Sequence, residues 1–364
     1  MPKEHIHILI AAGGTGGHVF PALAIADEMK KINPSIIFLF VGTKGKIETR
    51  VVPKRGYSLA LIWISGFHRT LRLENILFPI KVIVSLIQSF MLIKKFHPDV
   101  VVGTGGYVSG PILLIALLLN IPTIVNESNS YPGVTTRLVS NYVTYILTAF
   151  EATTNWLKRK DNVVLVGTPT DERLGNFSRE NGIQVFNFDK KKKVILVFGG
   201  SLGATSINNA MKLIIQDLID LKFQIIWQVG KTDEKIAREM SGLSNCLISA
   251  FIDNMEYAYA AADVVVCRAG ATTIAEITRL GKPSILIPYP YAAADHQTFN
   301  AKALADVGAA LMIPDREVTS RLKNELVGLI NDTQKLQQMS ETCRKFGKPD
   351  AGQKIASKIL ELVK

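Results

Sequence analysis

The sequence predicts an α/β protein made of two doubly wound parallel-sheet domains, on three observations. Short apolar, β-branched runs alternate with helix-like stretches along the whole chain. The alternation restarts after the polar stretch Asp171–Lys193. Glycine-rich turns directly follow several of the apolar runs. Strands buried on both faces read as continuous apolar runs, and parallel neighbours need a crossover, usually a helix. With 364 residues, 48% hydrophobic and 20% charged, the chain has apolar material for two cores and a composition unlike that of disordered chains.

In order, Glu4, His5 and His7 lead into an apolar run, Ile8–Ala12, that stops at Gly13. That run is too short and too poorly flanked for a signal peptide and reads as a first buried strand, Ile6–Ala11. A helical stretch Pro21–Lys31 and a strand Ile36–Val41 follow. The segment Ile76–Ile93 is apolar but interrupted by Pro79, Lys81, Ser85, Gln88 and Ser89. A membrane-spanning helix wants about 20 mostly apolar residues, so this segment reads as one or two surface or core helices. Strands Val100–Val102, Thr123–Val125 and Val163–Val166, a buried helix Pro111–Asn120 and a helix Thr135–Asn141 complete the first domain. The second opens as the first does: strand Val194–Phe198, a glycine turn, then a helix from Ser206. Gln224–Val229, Leu247–Phe251, Val264–Val266 and Ser284–Ile287 supply further strands. The division is 1–165 and 166–364, with a last helix, Gly352–Lys364, able to pack on either domain. Lys190–Lys193 reads as a solvated loop. Ligands of open α/β sheets bind outside the carboxyl ends of the strands, so the site is expected between the domains.

The formal net charge of +11 favours an anionic partner: nucleic acid, a phosphorylated substrate or an anionic membrane. The charge is dispersed and no aromatic–basic recognition motif is present, which argues against nucleic acid. Cys246, Cys267 and Cys343 are odd in number and widely spaced; they imply neither a zinc site nor a disulfide framework.

Three glycine-rich turns follow apolar strands: Gly13-Gly14-Thr15-Gly16-Gly17-His18, Gly103-Thr104-Gly105-Gly106-Tyr107 and Gly199-Gly200-Ser201-Leu202-Gly203. Glycine lets the backbone turn sharply and approach a ligand, and the amides of the following helix N-terminus favour anions. Repetition at equivalent strand ends points to diphosphate recognition rather than turning alone. A nicotinamide site fits poorly: His18 and Val19 break the Gly-x-Gly-x-x-Gly spacing, and the second strand ends at Val41-Gly42-Thr43 with no acidic residue for a ribose. No Walker A loop is present. A fourth turn, Cys267–Glu276, leads into a helix starting near Ala271 or Thr272. That places Thr272 and Glu276 one turn apart, with Glu276 either on sugar hydroxyls or as an ordinary surface or capping residue. The chain has no Asp-x-Asp pair, so amides, helix dipoles and basic residues must neutralise a leaving diphosphate.

The opening Gly13–Ala24 resembles that of the MurG family. The resemblance continues through Gly103–Pro111, Glu127-Ser128-Asn129, Gly199–Ala204, Phe251-Ile252-Asp253, Arg268–Glu276 and Asp295-His296-Gln297 with Asn300-Ala301, in family order over nearly the whole chain. It implies a GT-B architecture of two Rossmann-like domains facing across a cleft. It implies an inverting, metal-independent and cofactor-free transfer of N-acetylglucosamine from UDP-N-acetylglucosamine to a lipid-linked muramyl-pentapeptide in peptidoglycan synthesis. The C-terminal domain would hold the donor and the N-terminal domain the acceptor.

Carried over by motif, Gly13, Gly14, Gly103, Gly105, Gly106 and Tyr107 form acceptor or phosphate loops. Thr15, Gly16 and Gly17 meet donor or phosphates, and His18 is the general base, its alternative being a brace for the loop. Asn129 bonds donor sugar or acceptor. Ser201 meets the diphosphate, and Ile252 lines the uracil pocket with its backbone toward the base. Ala271, Thr272, Thr273, Ile274, Ala275 and Glu276 hold phosphate and ribose. Gln297, with His296, reads the sugar hydroxyls.

Three positions depart from the family pattern. Asp171 stands where many members have arginine, with Arg173 as the candidate replacement; Leu202 and Ser128 stand where glutamine is common. The resemblance also places the protein peripherally on the cytoplasmic side of the cell membrane. Leu71–Lys95, flanked by Arg69, Arg72, Lys81, Lys94 and Lys95, is the surface expected to meet anionic lipid, against a core-helix alternative. Other readings are a related enzyme with another lipid acceptor, a UDP-sugar epimerase and a non-catalytic UDP-sugar-binding relative.

Overall fold

The computed structural model describes residues 5–66, 77–171, 173–292 and 295–363. Glu4, Arg69, Arg72 and the segment 71–76 lie outside them. The chain forms two compact units: Met1–Asp171 with Pro349–Lys364, and Glu172–Lys348.

Unit 1 runs β1 (His7–Ala11), α1 (Gly16–Ile32), β2 (Ile37–Gly42), α2 (Glu48–Lys54), β3 (Ser58–Leu61), α3 (Phe78–Phe96), β4 (Val100–Gly103), α4 (Ser109–Leu118), β5 (Thr123–Glu127), α5 (Val134–Val139), β6 (Tyr145–Thr148) and β7 (Val163–Leu165). Its sheet has the order β3-β2-β1-β4-β5-β6-β7, with every pairing parallel. Unit 2 runs α6 (Arg179–Val185), β8 (Val194–Phe198), α7 (Thr205–Asp220), β9 (Gln224–Gln228), α8 (Glu234–Glu239), β10 (Cys246–Ser249), α9 (Met255–Ala261), β11 (Val264–Cys267), α10 (Ala271–Leu280), β12 (Ser284–Leu286), α11 (His296–Ala305), β13 (Leu311–Met312), α12 (Val318–Asn331) and α13 (Thr333–Lys345). Its parallel sheet has the order β10-β9-β8-β11-β12-β13. The chain then returns to unit 1 as α14 (Ala351–Leu360), which packs on α1 and buries Ile355, Ala356 and Ile359 among Ile8, Val19 and Leu23.

Both sheets are doubly wound, as the alternation predicts. Three strands escape the sequence reading. β3 and β13 are sheet-edge strands of four and two residues with no fully buried residue. β6 is a four-residue strand that follows α5 closely, and its run merges with the helical pattern before it. The segment Pro111–Asn120 is not buried all round: α4 buries Ile112, Leu113 and Ala116 but exposes Leu114 and Leu118. α3 is apolar on both faces. It buries Ile93 with Ser85 and Ser89, whose hydroxyls donate to carbonyls of the preceding turn, packs Val82, Leu86, Leu92 and Phe96 against the core, and exposes Ile80, Ile83, Ile87, Phe90 and Met91.

Candidate active site

In unit 1, β1 is flanked by β2 on one side and β4 on the other, so the sheet's winding reverses between β1 and β4. This is the switch point at which open α/β sheets bind ligands. The turns after β1 and β4 are Gly13–Gly17 and Gly103–Tyr107, and they pack on each other. Gly105 and Gly106 have φ of 106° and 78°, conformations that L side chains rarely adopt. A Cβ on Gly105 would lie 2.6 Å from His18 Cδ2 and 2.9 Å from Nε2, and one on Gly106 would collide with Gly13 O. The two glycines therefore make the seat for the imidazole. His18 Nδ1 lies 3.2 Å from Thr15 Oγ1 and 3.3 Å from Gly13 O. Thr104 Oγ1 donates to His18 O at 2.8 Å, and Ser109 Oγ lies within 2.9 Å of both Ala11 O and Gly105 O. The Tyr107 ring covers Gly14, where a Cβ would lie 3.2 Å from Cε1.

Sequence reasoning missed the side chain beneath this loop. Glu48, in the first turn of α2, is fully buried. Its Oε1 accepts from Thr43 N–H at 3.0 Å and lies 3.3 Å from Thr43 Oγ1. Gly14 N–H faces Oε1 and Oε2 at 3.3 and 3.2 Å. Gly13 and Gly42 leave room for it; a Cβ on Gly13 would lie 2.7 Å from Oε1. The Gly14 amide is thus turned inward onto an acidic side chain. The signal was present as an acidic residue five positions after Thr43, but a buried brace has no spacing rule.

Glu127, at the end of β5 and also buried, does the same for the next loop. Its Oε1 accepts from the Asn129 backbone N–H and Nδ2 at 3.0 and 3.1 Å. Its Oε2 accepts from Gly133 N–H at 2.9 Å and Thr136 Oγ1 at 2.7 Å. Asn129 thus turns one Nδ2–H onto Glu127, which fixes the side chain and leaves Oδ1 and the second Nδ2–H to serve a ligand.

In unit 2, β8 and β11 are the neighbours at the switch point. The turn Gly199–Gly203 follows β8 and leads into α7; Gly200 and Gly203 have φ of 98° and 91°. Ser201 sits in this turn, its carbonyl accepting from Lys231 N–H. The Gln228 side chain joins two loops. Its Nε2 donates to Gly200 O and its Oε1 accepts from Ile252 N–H, each at 3.0 Å. Here too the expectation is narrowed, because the Ile252 amide is taken by Gln228 and only its carbonyl remains for a base.

The turn after β11 opens α10 at Ala271, with Gly270 as N-cap. Ala271 and Ile274 are buried, so those two side chains pack the core instead of facing a ligand. Thr272 Oγ1 is buried with no hydrogen-bond partner. One turn on, Glu276 Oε2 accepts from Tyr259 O–H at 2.8 Å. Burial, then the neighbouring Glu276, holds the Tyr259 phenol well above its ordinary pKa, so it stays a donor. Thr273 and Ala275 are partly exposed on the same helix. Gln297 Oε1 accepts from Tyr289 N–H at 2.9 Å, which fixes the side chain and leaves its Nε2 as the donor end.

Arg268 is a second residue that sequence reasoning did not single out. Its guanidinium reaches Ile287 O, Pro288 O, Ser206 Oγ and Asp315 Oδ1, and lies over the Tyr289 ring. It places a cation at the carboxyl end of β11, tied to the first turn of α7. Asp171 pairs with Arg55 at 2.7 Å. Arg173, the candidate replacement, pairs with Glu256 at 2.9 Å. Burial raises the thiols of Cys246 to about 11 and Cys343 to about 12. Among the described residues no group of His, Cys, Asp and Glu is placed to hold a metal ion.

Comparison with known proteins gives a consistent picture. Residues 8–148 match the glycosyltransferase family 28 N-terminal domain and residues 194–355 its C-terminal domain. The UDP-N-acetylglucosamine--N-acetylmuramyl-(pentapeptide) pyrophosphoryl-undecaprenol N-acetylglucosamine transferase of Flavobacterium psychrophilum is 40% identical over 99% of this chain and 98% of its own length. The Chlorobaculum tepidum protein of the same name is 42% identical over 98% of this chain and 99% of its own. Among solved structures, Acinetobacter baumannii MurG aligns over 98% of this chain and 99% of its own, with a TM-score of 0.72 and 27% identity.

Proposed function

We propose a function from one premise: the chain belongs to the MurG family, whose members carry the two family 28 glycosyltransferase domains. It transfers N-acetylglucosamine from UDP-N-acetylglucosamine to the 4-hydroxyl of undecaprenyl-pyrophosphoryl-N-acetylmuramyl-pentapeptide, with inversion and without a metal ion or cofactor. The observation that carries the reading is that each unit sets two glycine turns side by side at its sheet's switch point, within a chain that matches the family end to end.

Unit 2 is the donor half. Its two turns open the helices α7 and α10, whose N-terminal amides and dipoles suit a diphosphate. Arg268 adds positive charge, and Ser201 and Thr272 supply hydroxyls. Glu276, steadied by Tyr259, accepts from the ribose hydroxyls. The Ile252 carbonyl faces the base. Gln297 Nε2, with His296, reads the sugar.

Unit 1 is the acceptor half, with Thr15, Gly16, Gly17 and Tyr107 around the base and Asn129 Oδ1 toward the incoming sugar. The His18 tautomer is assigned from its contact with Gly13 O: a proton on Nδ1 donates there and puts the ring's lone pair on Nε2. Nε2 then takes the proton of the muramyl 4-hydroxyl as that oxygen bonds to the anomeric carbon. UDP departs with the electron pair of the broken bond.

The exposed apolar face of α3 supports the membrane reading. Ile80, Ile83, Ile87, Phe90 and Met91 are exposed on a helix that also carries Lys81, Lys94 and Lys95. Apolar insertion beside basic side chains is how a peripheral protein holds an anionic bilayer, here on the cytoplasmic side. No helix among the described residues is long and apolar enough to cross a membrane. Nucleic acid is not a partner in this reading.

The test is a transfer assay with labelled UDP-N-acetylglucosamine and lipid-linked muramyl-pentapeptide, with and without chelator. Equal formation of disaccharide lipid and UDP, unchanged by chelator, is expected. Absence of labelled lipid product, or UDP release that ignores the acceptor, contradicts the reading.

A further inference from the structure

We infer that Glu48 is a positioning residue for the base: it grips one end of a peptide group whose other end holds His18. The inference rests on the proposed role of His18 and adds a residue that role does not include. Gly13 C=O and Gly14 N–H belong to the same planar peptide, so they point in opposite directions. The N–H end faces the Glu48 carboxyl group at 3.2 Å, and the C=O end lies 3.3 Å from His18 Nδ1. Glu48 is fully buried, and its other donors, Thr43 N–H and O–H, tie the same carboxyl group to the end of β2. The loop is built around this contact. Gly14 has φ of 92°, Gly13 has no room for a side chain because Glu48 fills it, and the absence of a Cβ on Gly106 leaves space for the same carbonyl oxygen. Rotating that peptide would break both contacts together. With the peptide held, Gly13 O can only accept, so together with Thr15 Oγ1 on the same nitrogen it favours a proton on Nδ1 and puts the lone pair on Nε2. Accepting from the amide also makes the carbonyl a better acceptor, because hydrogen bonds in a chain polarise one another.

Glu48→Gln keeps the volume but sets an amide N–H against a backbone N–H. Its kcat is expected to fall about tenfold, a part of the gain a general base supplies. The rising limb of its kcat/KM–pH profile moves to lower pH, and UDP-N-acetylglucosamine affinity by calorimetry stays within about twofold, since the donor half is untouched. An unchanged kcat overturns the inference, and so does a fall in kcat with an unmoved pH profile, which marks a merely structural role. A second measurement does not depend on the variant folding: nitrogen NMR of the histidines in the wild-type protein, with the His18 signal assigned by its loss in His18→Gln. Protonation at Nδ1 is expected; protonation at Nε2 overturns the inference. Failure of the wild-type protein to transfer sugar would count against the proposed function, and the NMR result would still decide the Glu48 contact.

Discussion

The two units hold the same pair of turns with opposite chemistry. In unit 1 the braces are acidic: Glu48 under Gly14 and Glu127 under the Asn129 loop. In unit 2 they are a neutral amide, Gln228, between Gly200 and Ile252, and a cation, Arg268, already paired with Asp315. A diphosphate is repelled by an acidic group behind its cradle and tolerated by an amide. On the proposed function, the difference suits a hydroxyl losing its proton in unit 1 and a departing UDP in unit 2. A repeated fold does not imply a repeated ligand.

The comparison breaks first at His18. His18→Gln is expected to lower turnover by about 10²–10⁴-fold while UDP affinity persists, because a general base contributes on that scale. A variant with wild-type turnover removes the base from unit 1 and with it the division of labour. The next effect belongs to unit 2. Gln228→Glu replaces the donor to Gly200 O with an acceptor and puts a carboxylate behind the donor turns. About 2–3 kcal/mol of UDP affinity should be lost, read by calorimetry as roughly a hundredfold weaker binding. Unaltered binding would show that the nature of the brace is irrelevant to the ligand.

Smaller effects sharpen the same contrast. Glu276→Ala should weaken UDP-sugar binding about tenfold, and Tyr259→Phe, which removes one hydrogen bond to Glu276, by about fivefold, near 1 kcal/mol. Equal affinity in Glu276→Ala takes the ribose away from that carboxylate. The smallest effect on chemistry is expected at α3. Ile83→Asp with Ile87→Asp should release the protein from anionic vesicles in a sedimentation assay without changing UDP affinity. Retained vesicle binding would move the membrane face elsewhere.

The strands and their glycine turns were legible in the sequence because buried parallel strands are apolar throughout and their ends need glycine. Val194–Phe198 was read to the residue, and the other named strands to within a residue or two. The order of the strands was not legible, so which turns become neighbours at β1/β4 and β8/β11 had to come from the structure. Ligand-facing candidates could be named from motifs, but motifs do not say where an amide points. That is why Gly14 and Ile252 were assigned to ligands when their N–H groups belong to Glu48 and Gln228. Braces such as Glu48, Glu127, Gln228 and Arg268 are polar residues whose partners lie from two to 62 positions away, and no periodicity marks them. In α3 the apolar pattern was visible, but not that it divides between a core-packed face with Ile93 and an exposed face with Ile83 and Ile87.

Backbone hydrogen exchange of the full-length protein with and without UDP tests the division of labour most directly. UDP alone is expected to slow exchange at Gly199–Ser206, Ile252 and Ala271–Glu276 while leaving Gly13–His18 at its ligand-free rate. Protection of Gly13–His18 with none at the unit 2 turns would contradict it.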